Sequence, residues 1–188
     1  RERVWKSQAV VFFLRDYSGS MIGERTKAVV AQHLMIYSWL LVQFEKLVIP
    51  RFIVHDTQAK EVSAKDYFVK NARGGTLIPS GYKKIIEIIE SENLAKNYNL
   101  YIFQGTDGED FDDGEVAIPA IEKILGYVNR MGVTVIRNPV SEESIFETYV
   151  KEGGFPERKD LFRMHVLSDR DISEEENENS VRKLVSQD

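Results

Sequence analysis

The chain contains no cysteine among its 188 residues. Disulfide bonds and thiolate metal sites are therefore excluded, and the lack of thiols is typical of a cytoplasmic protein, which is where we expect this chain to work. The chain also lacks a block of basic residues, since 25 lysines and arginines stand against 30 aspartates and glutamates, for a formal charge of −5. Nucleic acids and anionic membrane surfaces bind basic faces, so we expect neither as a partner.

No hydrophobic run is long enough to predict a membrane span. The most apolar stretch, residues 28–44, is short for crossing a bilayer and predicts a helix buried in the core. Four polar residues interrupt it: Gln32, His33, Ser38 and Gln43. With 43% hydrophobic residues, the chain can bury the core of a single domain over residues 1–188. It begins at Arg1 rather than Met, so we expect it to be a fragment of a longer protein.

Short apolar runs alternate with helical patterns along the chain. The predicted strands cover residues 9–14, 51–55, 59–62, 100–103, 133–136 and 162–167. The predicted helices cover residues 23–46, 79–92, 115–130 and 142–151, followed by a polar terminal helix capped by Ser173. Short, continuously apolar strands separated by helices are typical of a mostly parallel sheet covered on both faces. We therefore predict an α/β, doubly wound fold, in which Pro50 precedes the second strand and residues 59–62 form one short antiparallel edge strand.

An Asp-x-Ser-x-Ser motif over residues 16–20 follows the first predicted strand. Its one carboxylate and two hydroxyls belong to Asp16, Ser18 and Ser20. In a parallel sheet, ligands bind beyond the carboxyl ends of the strands, and this motif lies at that edge. Carboxylate and hydroxyl oxygens suit a hard divalent cation, above all Mg²⁺. Because Asp and Ser are common turn residues, the motif alone is a weak signal.

Two distant segments supply further oxygens for the same edge. Thr76 follows a pair of glycines, where the backbone can approach closely and present a hydroxyl. Asp107 follows the fourth predicted strand and lies near Asp16 if the first and fourth strands are neighbours. The sequence therefore predicts a metal site made by three loops, with these ligands: Asp16, Ser18, Ser20, Thr76 and Asp107.

The order of these three segments resembles the metal-ion-dependent adhesion site of von Willebrand factor A domains, which are doubly wound α/β domains. The resemblance covers nearly the whole chain. A narrower resemblance is to the YeaH/YhbH family, bacterial proteins of unknown biochemical function that are associated with stress or sporulation and often encoded beside a PrkA-type serine protein kinase. It rests on Val-His-Asp-Thr-Gln-Ala-Lys-Glu-Val at 54–62, Gly-Gly-Thr at 74–76 and Thr-Asp-Gly-Glu-Asp at 106–110. The chain departs from that family at Asp56, where a second histidine is expected after His55, and at residues 79–81.

The resemblance implies a role for the metal as well as a set of ligands. Ser18, Ser20 and Thr76 would offer hydroxyl oxygens, while Asp16 and Asp107 would bind directly or through water and orient the hydroxyls. In the superfamily, an acidic side chain of a partner fills the open coordination position, so that the Mg²⁺ or Mn²⁺ ion becomes a contact between two proteins. The expected partner presents Asp or Glu and belongs to a PrkA-type kinase complex or an AAA-type ATPase complex.

Tyr17 and His55 are candidates for contact with the partner, because both are expected at the metal edge. For His55 the alternative is an imidazole satisfied by local hydrogen bonds. His33 and His165 are expected to be packed rather than catalytic. The acidic residues that follow the fourth strand do not fit the spacing of an EF-hand loop and predict a solvated acidic rim: Glu109, Asp110, Asp112 and Asp113.

The main alternative to a binding module is an enzyme, a metal-assisted hydrolase or phosphotransferase that uses the same cation as a Lewis acid. Such an enzyme needs a general base or nucleophile beside the metal, and His55 and Glu109 are the only candidates that the sequence offers. The sequence has neither the Gly-x-Ser-x-Gly elbow of a serine hydrolase nor a P-loop. A structural interaction domain with a degenerate site is the third hypothesis.

Overall fold

The computed structural model describes residues 6–69 and 73–186. This part of the chain is built on a six-stranded sheet with the strand order β3-β2-β1-β4-β5-β6. The strands are β1 (Ala9–Asp16), β2 (Val48–His55), β3 (Ala59–Val62), β4 (Asn99–Thr106), β5 (Arg130–Arg137) and β6 (Phe162–Ser168). Among these strands, β3 alone is antiparallel to its neighbour. The predicted α/β class with one short antiparallel edge strand is confirmed.

The described part of the chain contains seven α-helices, six of them between strands and the seventh after β6. They are α1 (Glu24–Gln43), α2 (Ala64–Val69), α3 (Ile78–Ser91), α4 (Leu94–Asn97), α5 (Ala117–Leu125), α6 (Ile145–Glu152) and α7 (Glu174–Val185). Side chains of α1 and α7 pack in an apolar core on one face of the sheet, and those of α3, α5 and α6 pack in a core on the other face. Over residues 6–69 and 73–186, no helix has the length and apolarity needed to cross a membrane.

The side chains of β1 alternate between the two cores. Phe12 and Leu14 pack on the α3 side of the sheet, whereas Val11 and Phe13 pack on the α1 side. Every residue of β1 is buried, because the strand lies between β2 and β4 and the sheet is covered on both faces. The first apolar run of the sequence therefore ends in the middle of the carboxyl edge, where the Asp-x-Ser-x-Ser motif begins.

The second strand begins earlier than predicted and includes Pro50. We expected Pro50 to precede the strand, but β2 starts at Val48 and Pro50 pairs in register with Val11 of β1. The edge strand β3 pairs with β2 only from Phe52 onward, which leaves no neighbouring strand on the outer side of β2 at residue 50. A proline, which lacks the N–H donor, is tolerated at such an edge position.

Two predicted helices are too long at their carboxyl ends, while the predicted start of the terminal helix is confirmed. The first helix ends at Gln43 rather than near residue 46, and α5 ends at Leu125 rather than near residue 130. At the start of α7, the Ser173 hydroxyl accepts a hydrogen bond from the backbone N–H of Glu176 at 3.1 Å. This is the predicted cap, and it satisfies one of the free donors of the first helical turn.

Candidate metal centre

Three loops meet at the carboxyl edge of the central strands β1 and β4. The backbone N–H of Gly19, in the loop after β1, donates to the carbonyl of Gly74 at 3.0 Å. The N–H of Phe111, in the loop after β4, donates to the carbonyl of Thr76 at 3.1 Å. The loop before α3 is therefore joined by its backbone to both of the others. The three segments that the sequence analysis singled out are neighbours in space.

Asp16 is the last residue of β1, and its side chain is held by two hydrogen bonds. Its Oδ1 accepts from the backbone N–H of Ser18 at 2.9 Å, and its Oδ2 accepts from the hydroxyl of Thr106 at 2.7 Å. The sequence analysis missed Thr106. Arg15 pairs with Gly105 in the parallel register of β1 and β4, and the next residue of each strand lies at the same edge. The sequence signal that could have identified Thr106 is its position directly before Asp107, the second predicted carboxylate ligand.

The hydroxyls of the motif lie close to one another and to Asp107. The Oγ atoms of Ser18 and Ser20 are 3.1 Å apart, and the side chain of Ser20 also hydrogen-bonds to Asp107. Ser18 is buried, whereas Ser20 is exposed at the surface. Thr76 is 6% exposed and belongs to the loop that the backbone joins to both of the others. The structure therefore brings the five predicted ligands to one edge.

The electrostatics of this edge favour a cation. Asp107 is buried, which raises the pKa of its carboxyl, and the negative charge of Asp16 raises that pKa further. Hydrogen bonds from the Ser20 hydroxyl and the Glu109 N–H, together with the charge of Arg25, act in the opposite direction. Two buried carboxylates that repel each other are stabilised when a divalent cation binds between them. The donor set therefore fits a hard, oxygen-seeking ion.

The number of carboxylates limits the kind of metal site that this edge can form. Within the described ranges 6–69 and 73–186, no group of three or more His, Cys, Asp or Glu side chains is arranged to hold a metal ion. A cation at this edge would therefore depend on two carboxylates together with hydroxyls. Such a set has the oxygen chemistry that Mg²⁺ and Mn²⁺ accept, and it excludes the nitrogen and sulfur sites that zinc prefers.

Arg25, in the first turn of α1, already contacts the site. Its Nη1 lies 3.4 Å from Oδ2 of Asp107 and donates to the carbonyl of Ser20 at 3.2 Å, while its Nη2 donates to Asp169 at 2.8 Å. The side chain thus links the loops after β1 and β4 to the turn after β6. The sequence analysis did not identify Arg25, although its position one turn beyond the motif places it at the same edge.

His55 and Tyr17 occupy different environments near the site. His55 pairs in register with Asp16 and is 1% exposed, and neither of its ring nitrogens has a hydrogen-bond partner in the described part of the chain. The described residues therefore do not satisfy the imidazole with the local hydrogen bonds of the alternative, and this burial does not support direct contact between His55 and a protein partner. Tyr17 is partly exposed, its ring lies 5.6 Å from the Arg15 guanidinium, and it borders a cavity of about 170 Å³ next to the turn between β2 and β3.

The predicted acidic rim is wrong for two of its four residues. Asp110 is 5% exposed and accepts hydrogen bonds from the N–H of Ile78 at 3.0 Å and from the hydroxyl of Tyr149 at 2.9 Å. Asp112 accepts from the N–H groups of the residues that begin α5, including Ala117 at 2.9 Å. Both carboxylates hold the loop in place by accepting hydrogen bonds from protein groups rather than facing solvent as a charged rim. Glu109 and Asp113 are exposed, as expected of a rim.

Comparison of the sequence with protein families finds one match over most of the chain. The model of the family described as protein of unknown function (DUF444) matches residues 1–178. A UPF0229 protein of Ruminiclostridium cellulolyticum is 35% identical over 127 residues, which are 66% of this chain and 31% of the relative. The chain therefore spans about a third of the length of that relative.

Comparison with solved structures finds the same fold in a von Willebrand A domain and in a second protein. The SpRpn10 VWA domain superposes with a TM-score of 0.66 at 14% identity, covering 93% of this chain and 94% of that one. The manganese-loaded Plasmodium vivax TRAP protein superposes with a TM-score of 0.58 at 13% identity, covering 85% of this chain and 69% of that one. At these identities the likeness establishes the fold alone, and the fold is von Willebrand A-like.

Proposed function

This chain belongs to the DUF444 family of proteins of unknown function, and we propose that it is a divalent-cation-dependent protein-binding module. The von Willebrand A-like fold supports a role in protein interaction. In the proposed site, Mg²⁺ or Mn²⁺ is held by two carboxylates and three hydroxyls, and an Asp or Glu side chain of a partner protein takes the remaining position. The proposed ligands are Asp16, Ser18, Ser20, Thr76 and Asp107.

The observation that carries this proposal is the meeting of two buried carboxylates with hydroxyls at the carboxyl edge of the sheet. Burial and the charge of Asp16 both raise the pKa of Asp107, which means that the ionised carboxylate is destabilised. A bound cation would offset this repulsion and stabilise the ionised form. Two carboxylates balance the charge of a divalent ion without exceeding it, so a third carboxylate from a partner is not repelled by excess negative charge. A bound cation would offer an open coordination position to an acidic side chain of the partner. The hydroxyl of Thr106 and the N–H of Ser18 fix the orientation of the Asp16 carboxylate as a metal ligand.

The proposed biological setting is the bacterial cytoplasm, in a stress or sporulation response. The proposed partner is a component of a PrkA-type kinase complex or of an AAA-type ATPase complex. This part of the proposal rests on the family resemblance carried by residues 54–62, 74–76 and 106–110. Because the chain spans 31% of the length of its Ruminiclostridium relative, the proposal concerns this domain and not a whole protein of the family.

Calorimetric titration with MgCl₂ and MnCl₂ tests the metal site. We expect one binding site in the native sequence and no binding in Asp16→Ala. The matched control is Asp113→Ala, which removes an exposed carboxylate from the same edge and should leave metal affinity unchanged within about twofold. A folded native protein that takes up no metal would contradict the proposal.

Capture of partners from a bacterial lysate tests the bridging role of the cation. Proteins retained on the immobilised chain in Mg²⁺ should be released by EDTA and should not bind Asp16→Ala. Retention that survives both treatments would contradict a metal-bridged contact. Turnover of phosphoester or acyl substrates that depends on Asp16 would instead favour the hydrolase or phosphotransferase alternative.

A further inference from the structure

Two large apolar side chains stand exposed beside the proposed metal ligands. Ile22 is 65% exposed and lies two residues beyond Ser20, while Phe111 is 74% exposed and lies in the loop after β4. Single exposed apolar side chains are common on protein surfaces and by themselves indicate nothing. Their position at one functional edge and the way the backbone holds them are what distinguish these two. We call Ile22 and Phe111 the apolar rim.

The ring of Phe111 is held against the loop that carries Thr76. A Cβ atom placed on Gly75 would lie 2.8 Å from Cε2 of Phe111, so the ring can approach this closely only because residue 75 is glycine. The N–H of Phe111 also donates to the carbonyl of Thr76. Because the backbone of Phe111 is already fixed, a partner that covers the ring restricts the side-chain torsions and does not also have to order the loop.

Ile22 is positioned in a similar way by the loop after β1. It follows the short 3₁₀ turn of Gly19–Met21, and its N–H donates to the carbonyl of Gly19 at 3.4 Å. Met21, its neighbour, is fully buried and anchors the turn in the protein. The chain therefore buries one large apolar side chain and presents the next one to solvent directly beside the motif.

We propose that the apolar rim selects one class of partner segment: a peptide with a single Asp or Glu for the metal and a large apolar side chain within a few residues of it. This inference rests on the proposed function, because the cation supplies the reason for the acidic residue. An extended peptide advances about 3.3 Å per residue, so neighbours of the acidic residue lie within reach of side chains that border the metal ligands. Apolar neighbours remove the rim from water, which is the main gain available to exposed Ile22 and Phe111.

The remaining charges of this edge argue against an acidic run in the partner. Glu109 and Asp113 are exposed on the same loop as Phe111. Like charges placed opposite each other across an interface oppose binding, so further Asp or Glu residues beside the metal-bound one would weaken the contact. The preferred segment therefore carries one acid among apolar residues.

Selection from a phage-displayed library of random peptides on the immobilised 188-residue chain in Mg²⁺ tests this preference. We expect enrichment of peptides with one Asp or Glu next to Leu, Ile, Phe, Tyr or Trp, and their elution by EDTA. Three results from a protein that binds Mg²⁺ in calorimetry would overturn the inference. They are enrichment of peptides with acidic runs, enrichment of peptides whose acidic residue has random neighbours, and no enrichment of any peptide. A native protein that binds no Mg²⁺ would defeat the proposed function instead, so the two failures are distinguishable.

Variants of the apolar rim provide the second measurement. The affinity of a selected, fluorescently labelled peptide should fall roughly tenfold in Ile22→Ser and in Phe111→Ser, because truncated anchors of an interface cost about that much. The control is Val42→Ser, since Val42 is 81% exposed and lies at the opposite end of α1, a helix of 20 residues and about 30 Å. Equal losses in all three variants, or none in the rim variants, would overturn the inference. So would a parallel loss of Mg²⁺ affinity in the rim variants.

Discussion

The hydroxyl of Thr106 donates a hydrogen bond to Oδ2 of Asp16 over a distance of 2.7 Å. The two residues end the neighbouring parallel strands β4 and β1, and both are fully buried. The N–H of Ser18 donates to the other carboxylate oxygen. The rigid centre of the sheet therefore fixes the orientation of Asp16, and the loops bring further oxygens to it.

Replacement of Thr106 by valine should weaken Mg²⁺ binding by at least about tenfold, because residues that orient a metal ligand commonly contribute that much affinity. The variant should also lose about 1 kcal/mol of unfolding free energy with its buried hydrogen bond. Calorimetry and urea unfolding measure the two effects.

Thr134→Val is the matched control for that experiment. Thr134 is buried in β5 and donates its hydroxyl to Gln32 at 2.6 Å, on a strand that carries none of the proposed ligands. It should lose comparable stability and keep its Mg²⁺ affinity. If both valine variants lose Mg²⁺ affinity alike, the orientation of Asp16 by Thr106 does not explain the loss.

Replacement of Arg25 by methionine should raise Mg²⁺ affinity several-fold. The guanidinium lies 3.4 Å from Asp107 and repels a divalent cation bound to the same carboxylate. The control is Arg158→Met, which removes one positive charge that pairs with Glu122 instead. Titrations at low and moderate salt should show the gain shrinking as salt screens the charges. Weaker binding in Arg25→Met would mean that the arginine supports the site by positioning its loops.

Replacement of His55 by leucine should leave the protein as stable as before or raise its unfolding free energy by about 1 kcal/mol, because the buried ring nitrogens have no hydrogen bonds to lose. Urea unfolding of the metal-free protein measures this change. A loss of more than about 2 kcal/mol would show that the imidazole is hydrogen-bonded, through water or a bound ligand.

The buried His33 should make the protein less stable in mild acid. Burial, followed by the positive charge of Arg15, lowers the pKa of His33 from 6.5 to about 3, and Nδ1 of the ring lies 2.6 Å from the Tyr67 hydroxyl. Between these two pKa values the unfolded chain binds a proton that the folded protein excludes, so stability falls as the pH drops below about 6.5. From pH 7 to pH 5 the expected loss is about 2 kcal/mol.

Urea unfolding of the native protein and of His33→Gln at both pH values checks this prediction. The glutamine variant should lose about 2 kcal/mol less than the native protein over the same interval, because it carries no titrating ring at this position. An identical loss in both proteins would show that other groups cause the acid sensitivity. The packed environment expected for His33 from the sequence is confirmed by its burial between Phe13 and Tyr67.

The fold was largely predictable because its signals are local. Continuous apolar runs such as the one in β1 predict strands buried on both faces, and the predicted edge strand matches β3 (Ala59–Val62) residue for residue. Pro50 shows the limit of local rules. Its place inside β2 depends on where β3 stops pairing, and no pattern around residue 50 carries that information.

The site was predictable only in part, because the residue type alone does not tell whether an Asp or Thr supports the site or lies on the surface. Asp16 and Asp107 stand at strand ends in motifs, which sequence order alone reveals. Asp110 and Asp112 have the same chemistry, but their hydrogen bonds inside the loop depend on neighbours that are distant in sequence or specific to its turn. Thr106 acquires its role from the register of β1 with β4, which only the assembled sheet defines.

The most direct test of the metal site is the anomalous scattering of a crystal grown in Mn²⁺. We predict a single strong peak at the carboxyl edge of β1 and β4 that is coordinated, directly or through one water, by side-chain oxygens from all three loops: Asp16, Ser18 or Ser20 after β1, Thr76 before α3, and Asp107 after β4. A well-ordered crystal with no peak there, or with manganese bound only elsewhere on the surface, would contradict the account.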